Sequence, residues 1–249
     1  MIDTHVHLND EAFENILDET INCALKNGIN RMIVIGNDYK TSLKAVEIAN
    51  RYPFIYAMVG LHPSDVDEEK DFDLNWLKEL LKEKKVIGVG EIGLDLYWTK
   101  DNKDLQILYF KKQLEIAKQF NLPVSIHSRD AIELTYEILK ESNNKGIIHC
   151  YSGSLEMANK FINLGYYLGI GGVLTFKNAK IKDVLKHIDL YHIVSETDAP
   201  YLAPVPFRGK INKPEYIKII VEEIAKIKEL DVKEVENQID KNVQTIFGL

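Results

Sequence analysis

Short apolar runs alternate along the whole chain with segments in which apolar residues recur at every third or fourth position. Continuous apolar runs of this kind are typical of buried strands, and a period of about 3.6 residues is typical of helices with one buried face. We predict strands at residues 1–6, 31–36, 54–60, 86–91, 123–127, 146–150, 166–171 and 192–196. Between them the period predicts helices at residues 11–27, 41–51, 74–84, 104–121, 131–142, 155–164 and 179–188.

The stretch 214–247 continues the helical period and predicts two helices that meet near Leu230 and Asp231. Asp231 has a side chain favoured at the N-cap of the second helix, and Pro214 stands in the first turn of the first helix, where proline is well tolerated. Alternating strands and helices over 249 residues are the pattern of an α/β protein with a (β/α)8 TIM barrel. We therefore predict one such domain over residues 1–249, with an additional C-terminal helix.

Composition and charge narrow the class of protein. Hydrophobic residues make up 45% of the chain, which is enough for a large core, and the net charge of −7 argues against broad non-specific binding to duplex nucleic acid. The two cysteines, Cys23 and Cys150, are too few for a disulfide framework. No apolar run reaches the length of a membrane span, and no secretory signal pattern opens the chain. We expect a cytoplasmic protein without a membrane partner.

Six residues with metal-binding side chains lie at or just after the predicted strand ends. Because the carboxyl ends of parallel barrel strands meet at one rim, residues far apart in sequence come together there. The first two of these residues are two positions apart, so both side chains leave the same face of a strand. A single histidine is more often structural than metal-binding, but four of the seven histidines follow this pattern. The candidate ligands are His5, His7, Glu91, His127, His149 and Asp198.

These side chains can be divided between two ions, because a carboxylate with two oxygens can bridge two cations. We predict that Glu91 does so. His5, His7 and Asp198 would complete the first site, and His127 and His149 the second. Mixed nitrogen and oxygen ligands suit Zn²⁺, Mn²⁺ or Fe²⁺ and also allow Mg²⁺, and the sequence does not choose among these divalent metals.

Two carboxylates lie close enough in sequence to these candidates to orient them. Asp95 and Glu196 are candidate hydrogen-bond acceptors for metal-bound histidines, which usually need such a partner on the second ring nitrogen.

Further polar and aromatic residues near the predicted rim have two interpretations each. His62 is either structural or a contact to a substrate phosphate or leaving group. Arg129 and Arg208 either grip phosphate oxygens, which match a guanidinium fork, or form salt bridges. Tyr97 and Trp98 either stack exposed nucleobases or cap the barrel.

Two irregular segments interrupt the pattern of strands and helices. Segment 196–215 contains four of the seven prolines, so we predict a stiff loop after the last strand, at the rim where substrate contacts lie. Within this loop Tyr201 either stacks an exposed nucleobase or caps the barrel. Lys210 is a weak candidate for binding a phosphate. The charge-rich segment 65–73 predicts a solvated surface.

With these motifs in view, the chain resembles the TatD family of metal-dependent deoxyribonucleases, which belongs to the amidohydrolase-like barrels. The resemblance covers the whole length. It rests on the segments Ile2-Asp3-Thr4-His5-Val6-His7-Leu8, Gly60-Leu61-His62-Pro63, Gly90-Glu91-Ile92-Gly93-Leu94-Asp95, His127-Ser128-Arg129-Asp130-Ala131, His149-Cys150-Tyr151-Ser152-Gly153, Glu196-Thr197-Asp198-Ala199-Pro200-Tyr201-Leu202 and Arg208-Gly209-Lys210-Ile211-Asn212.

The resemblance implies a TIM barrel, two divalent metal ions and hydrolysis of phosphodiester bonds. It implies a 3′→5′ exonuclease on single-stranded DNA, with RNA as a further substrate of some members, and a role for His62 in the site. It also implies that Glu91 takes the place of the carboxylated lysine of related enzymes.

We therefore predict a metal-dependent nuclease whose catalytic residues are Asp198, Glu91, His62 and Arg129. In this hypothesis Asp198 accepts the proton of the attacking water, and Arg129 and His62 stabilise the charge that develops on the phosphate. Two alternatives stay open. One is a metal-dependent hydrolase of a small amide, ester or phosphodiester, and the other is a non-catalytic binding protein on a barrel scaffold.

Overall fold

The apolar runs form the eight parallel strands of one sheet in a computed structural model, which describes residues 1–66, 73–98 and 100–249. Neighbours along the chain are neighbours in the sheet, from first to last. The strands are β1 (Ile2–Val6), β2 (Arg31–Ile35), β3 (Ile55–Val59), β4 (Val86–Asp95), β5 (Val124–Arg129), β6 (Gly146–Ile148), β7 (Tyr167–Ile170) and β8 (Ile193–Ser195). The sheet curls into a nearly closed TIM barrel, as predicted.

Helices follow the strands and pack around the outside of the barrel. They are α1 (Leu17–Lys26), α2 (Tyr39–Arg51), α3 (Asn75–Leu80), α4 (Lys103–Gln119), α5 (Ile132–Ser142), α6 (Leu155–Asn163), α7 (Ile181–His187), α8 (Ile217–Lys228) and α9 (Val232–Phe247). The first and the third fall short of their predicted lengths by the most residues. A 3₁₀ turn at Glu11–Phe13 takes up the start of the first helical segment, and α3 ends at Leu80.

The second C-terminal helix begins where its capping signal predicts, whereas the first begins three residues after Pro214. Asp231 is the N-cap of α9, where its side chain accepts a hydrogen bond from the N–H of Lys233 at 2.8 Å. Pro214 begins a 3₁₀ turn that leads directly into α8.

Glu91 and His127 lie inside strands rather than at strand ends, contrary to our prediction. β4 ends at Asp95 and β5 ends at Arg129, and these two residues are the last paired positions of the two strands. Because an extended segment is stabilised for as long as its neighbour supplies ladder hydrogen bonds, the two strands prolong each other beyond their apolar runs.

The seam between β8 and β1 is closed by hydrogen bonds from side chains and flanking backbone. The Thr4 hydroxyl donates to the Ser195 carbonyl oxygen, and the Ser195 hydroxyl donates to the Ile2 carbonyl oxygen, both at 3.0 Å. The buried carboxylate of Asp3 accepts from the N–H of Thr197 at 2.9 Å and from its hydroxyl at 2.5 Å. The seam therefore aligns the beginning of the chain with the residues that follow β8.

Several smaller expectations are also tested by the structure. Cys23 and Cys150 both carry free thiols. Among the described residues, no helix combines the length and the apolar character needed to cross a membrane. Most of the charge-rich segment 65–73 lies outside the described residues.

Candidate metal centre

The structure brings the six predicted ligand side chains together around the carboxylate of Glu91. Its Oε2 atom lies 3.3 Å from His5 Nε2 and 3.9 Å from His7 Nε2. Its Oε1 atom lies 2.7 Å from His127 Nδ1 and 3.8 Å from His149 Nε2. Glu91 thus turns its two oxygens to two different sets of histidines.

The deep side of the centre, which we define as His5, His7 and Asp198, lies directly above the β8–β1 seam. The N–H of Asp198 donates to the carbonyl oxygen of His5 at 2.9 Å, which places this carboxylate beside the two histidines. His7 Nε2 lies 3.2 Å from His5 Nε2 and 3.4 Å from Asp198 Oδ1. All three residues are buried, so the group is shielded from bulk water.

The hydrogen bonds around His7 indicate which nitrogen is free to bind a metal. His7 Nδ1 lies 3.1 Å from the carbonyl oxygen of Ile35. A carbonyl can only accept, so Nδ1 carries the proton, and the neutral ring directs the lone pair of Nε2 at the centre. A lone pair that faces the Asp198 carboxylate is repelled by it unless a cation or a proton lies between them.

The spacing of the donors on the deep side fits a divalent ion. Metal–nitrogen distances of about 2.0–2.1 Å place tetrahedral ligands roughly 3.3 Å apart. The measured distances between His5 Nε2, His7 Nε2 and Asp198 Oδ1 run from 3.2 to 3.9 Å. Imidazole and carboxylate donors also match the preferences of Zn²⁺, Mn²⁺ and Fe²⁺.

The open side of the centre, which we define as His62, His127 and Asp95, is built on the extension of β4 and β5. His127 pairs with Gly93, midway between Glu91 and Asp95, which project from the same face of β4. The imidazole therefore contacts both carboxylates, with Nδ1 at Glu91 and with Nε2 3.0 Å from Asp95 Oδ2. Gly93 has a φ of +145°, and an added Cβ would lie 2.0 Å from the carbonyl oxygen of His127, so only glycine fits this position.

His62 also faces Glu91, but its hydrogen bond indicates the opposite tautomer from that of His7. Its Nδ1 atom accepts from the N–H of Ser64 at 3.1 Å, so in the neutral ring the proton is on Nε2. Nε2 lies 3.7 Å from Glu91 Oε1. Burial lowers the pKa of His62 to about 3, so the ring is neutral. In this position His62 is a hydrogen-bond donor rather than a metal ligand.

His149 stands between the two sides. Its ring stacks on that of His5 with centroids 3.5 Å apart, and its Nε2 atom is 3.8 Å from both Glu91 Oε1 and Asp198 Oδ1. Its Nδ1 atom lies 3.0 Å from Glu196 Oε1, which also accepts from the N–H of Cys150 at 2.5 Å. Glu196 is thus placed behind His149 as Asp95 is placed behind His127.

Among the described residues, the donor atoms form compact groups that match the predicted division only in part. Three sets of donors each lie within 4.8 Å of one another, namely His5 with His7 and Asp198, His5 with His149 and Glu196, and His62 with Glu91 and His127. His62, rather than His149, is therefore the histidine grouped with Glu91 and His127. Since its donating tautomer excludes His62 as a ligand in this arrangement, His149 keeps its predicted role as a hypothesis.

The buried charges show that the centre attracts cations. Burial lowers the pKa of His127, but Asp95 and Glu91 outweigh this effect and raise it to about 9. Burial likewise opposes the charge on His149, whereas Glu196, Glu91 and Asp198 raise its pKa to about 10. Although burial raises the pKa of Glu91, the surrounding histidines hold it well below its usual value. Without a metal, the protons on these histidines offset the charge of the ionised carboxylates, and a divalent ion can take the place of those protons.

The remaining candidates lie farther out on the rim. The guanidinium carbon of Arg129 lies 3.7 Å from the ring centroid of Tyr97, and that of Arg208 lies 4.4 Å from the ring centroid of Phe176. Lys210 is exposed on the loop that carries Arg208. The Tyr201 hydroxyl donates to Asp10 Oδ2 at 2.8 Å, and its ring packs edge-on to His7.

Sequence reasoning missed the residues that hold the deep side in place. Asp3 joins β1 to the segment after β8, and Ser125 Oγ lies 3.3 Å from His5 Nδ1. One signal was available, because an aspartate within a predicted buried strand requires buried hydrogen-bond partners. The identity of those partners depends on contacts between distant segments.

The chain is similar in sequence and fold to known proteins. The model of the family described as TatD related DNase matches residues 2–248. An uncharacterized metal-dependent hydrolase of Bacillus subtilis strain 168, YabD, is 43% identical over 253 residues, which cover 100% of this chain and 99% of that protein. The crystal structure of YjjV, a TatD homolog from Escherichia coli K12, superposes with a TM-score of 0.94 at 31% identity, covering 100% of this chain and 98% of that one. A TatD family hydrolase from Entamoeba histolytica shares the fold, with a TM-score of 0.87 at 24% identity over 99% of this chain and 97% of that one.

Proposed function

The chain belongs to the TatD-related DNase family of metal-dependent hydrolases, and we propose that it hydrolyses phosphodiester bonds of DNA with two divalent metal ions. The observation that carries this proposal is the bridging position of Glu91. One of its oxygens faces His5 and His7, and the other faces His127 and His149. Two ions held about 3.5–4 Å apart are a recurrent arrangement for in-line displacement at phosphorus.

In this proposal His5, His7 and Asp198, together with Glu91, would hold the first ion, and Glu91, His127 and His149 would hold the second. Bound divalent ions would lower the pKa of a water molecule and offset the negative charge of a phosphodiester. The donor set favours Zn²⁺, Mn²⁺ or Fe²⁺ and leaves Mg²⁺ as an alternative.

The protein supplies the proton transfers and the contacts to the substrate. Asp198 has an ionised carboxylate, because His149, His7 and His5 lower its pKa although burial raises it. We infer that Asp198 accepts the proton of the attacking water. On the open side, the Nε2–H of His62 is placed to donate to a phosphate oxygen, which stabilises the charge that develops there.

We propose single-stranded DNA as the substrate, cleaved from the 3′ end, with RNA as a second candidate. The ligands lie below the surface of the rim, and even the most exposed imidazole among them, that of His127, is only 18% accessible. The end of a flexible strand can enter such a recess, whereas a paired duplex would have to separate first. The family name supports DNA, and the net charge of −7 disfavours extended contacts to a duplex.

The decisive experiment uses metal-free protein and a single-stranded oligonucleotide labelled at either end. Mg²⁺, Mn²⁺ or Zn²⁺ is added back singly, with Glu91→Gln as the inactive variant and the exposed Glu141→Gln as its matched control. We expect a metal-dependent ladder that is lost in Glu91→Gln and kept in Glu141→Gln, and the two labels report the direction of cleavage. Binding of metal without cleavage of any strand would refute the proposal and point to hydrolysis of a small ester or amide.

A further inference from the structure

Beside the open side of the centre, three residues form an exposed corner of two aromatic rings and one guanidinium group. Trp98 is 71% exposed and Tyr97 is 53% exposed, although both are large apolar side chains. The preceding residue, Leu96, is buried in the core. Rings as exposed as those of Tyr97 and Trp98 cover little of that core, so their exposure requires another explanation.

The corner has a defined geometry. The rings of Tyr97 and Trp98 stand at 85° to each other with centroids 4.9 Å apart. The guanidinium carbon of Arg129 lies 3.7 Å from the Tyr97 centroid and 5.2 Å from the Trp98 centroid. Such distances are typical of cation–π contacts, which hold the guanidinium in place against the aromatic wall.

The charge of Arg129 is available to a ligand. Within the described part of the chain, no carboxylate oxygen comes within 4.0 Å of its guanidinium nitrogens to form an ion pair, and its side chain is exposed. An anionic group can therefore bind there without displacing an internal salt bridge.

The corner is linked to the metal centre by two hydrogen bonds. The N–H of Tyr97 donates to Asp95 Oδ1 at 3.0 Å, and Asp95 Oδ2 lies 3.0 Å from His127 Nε2. His127 in turn contacts Glu91. A ligand on the corner is thus held at the edge of the recess in which the reaction takes place.

We propose that Tyr97, Trp98 and Arg129 form a nucleotide subsite, an inference that rests on the proposed function and specifies its substrate. The base stacks on the indole of Trp98, the adjoining phosphate binds the guanidinium of Arg129, and Tyr97 positions that guanidinium. An unpaired nucleotide offers a free base face beside a phosphate, whereas both faces of a base are covered in the interior of a duplex. The subsite therefore selects single strands.

The test compares two strands of equal length and charge. One carries bases throughout, and the other carries abasic residues at the three positions nearest the reacting end. Cleavage of both strands is measured as kcat/KM, and binding of both to the Glu91→Gln protein is measured by fluorescence anisotropy. The variants are Trp98→Ala, Trp98→Phe and Arg129→Ala. Tyr191→Ala is the matched control, because this exposed tyrosine lies in the 3₁₀ turn before β8, at the opposite end of the barrel.

We expect Trp98→Ala to reduce the preference for the base-bearing strand by roughly 5- to 150-fold, the range expected for the loss of one stacked base. Trp98→Phe should restore most of this preference, because a smaller ring still offers a face for stacking. Arg129→Ala should weaken the binding of both strands equally, because the lost contact is to a phosphate. For the same reason, binding by this variant should depend less on salt concentration. Tyr191→Ala should match the wild type.

The results separate the subsite from the proposed function. A preference that is unchanged in Trp98→Ala, or an equal loss for both strands in that variant, overturns the subsite. Cleavage without dependence on Trp98 would refute the subsite alone. Binding that depends on Trp98, without cleavage of either strand by the wild-type protein, would refute the proposed nuclease activity and leave the subsite standing.

Discussion

The deep and open sides of the centre share Glu91 but are built by different means. On the deep side, His7 is oriented by a backbone carbonyl oxygen, and the imidazoles of His5 and His7 are 1% and 6% exposed. On the open side, His127 is oriented by the carboxylate of Asp95, and the imidazoles of His127 and His62 are 18% and 13% exposed. The backbone and the seam orient the first side, whereas on the second side the buried carboxylate of Asp95 orients His127 and the N–H of Ser64 orients His62.

This difference suggests a division of labour between the two sides. A ligand set held by backbone contacts and sealed from water keeps its geometry throughout a reaction. A set held by carboxylates at the rim can admit a substrate phosphate, and it lies next to the corner of Tyr97, Trp98 and Arg129. Substitutions that act on one side and not on the other test this interpretation.

The largest effect is expected from the residue that both sides share. Glu91→Gln keeps the size of the side chain but removes the charge that faces both sets of histidines. We expect a loss of bound metal at both positions and a fall in phosphodiester hydrolysis by more than about 10³-fold. Elemental analysis of the purified variant measures the metal directly. Two tightly bound ions per chain in this variant would contradict the bridging role.

The next effect concerns the seam beneath the deep side. Asp3→Ala leaves the N–H and the hydroxyl of Thr197 buried without their acceptor. We expect the free energy of unfolding to fall by about 2–5 kcal/mol, because each buried donor without a partner costs about 1–3 kcal/mol. Denaturant unfolding of metal-free protein measures this change, with the exposed Asp183→Asn as control. A fall of less than about 1 kcal/mol is smaller than the cost expected for even one buried donor without a partner. Such a result would show that these hydrogen bonds contribute little to stability.

A smaller effect should distinguish the open side from the deep side. Asp95→Asn removes the carboxylate that orients His127 and leaves His5, His7 and Asp198 unchanged. Loss of such an orienting partner typically reduces metal affinity or activity by about 10- to 100-fold. Competition with a chelator should show that the protein binds one ion more weakly and the other with unchanged affinity. If the affinity for both ions fell equally, the two sides could not be treated as separate.

Metal affinity should also depend on pH, because of groups on the open side and at His149. The pKa of His127 is raised to about 9 and that of His149 to about 10, so both rings carry a second proton at neutral pH in the metal-free protein. A metal binds the neutral ring and must displace that proton, so affinity should rise with pH until pH passes these values.

Each displaced proton contributes up to about a tenfold gain in affinity per pH unit. Calorimetry of metal binding between pH 6 and 8, in buffers of different ionisation enthalpy, counts the protons released. Asp95→Asn should reduce that number, because its carboxylate helps to raise the pKa of His127. An affinity that does not change with pH would contradict the raised pKa values.

The order of strands and helices, and the residues that face the rim, could be predicted from the sequence. Strand and helix periods are local properties, and the core that they imply is the one observed. The predicted strand ends were wrong where they depend on contacts between different strands. β4 and β5 extend past their apolar runs because each supplies hydrogen bonds to the other, which neither sequence segment indicates alone.

The sequence by itself determined the barrel and the set of candidate ligands, because periodic burial and strand order depend on residues that are close along the chain. Only the tertiary structure decided how these side chains are divided around Glu91, which nitrogen of His7 and of His62 carries the proton, and where Arg129 is directed. These properties depend on distances of a few ångströms between strands that are far apart in sequence. Such distances are set by closure of the barrel and by strand register, and no local pattern encodes them.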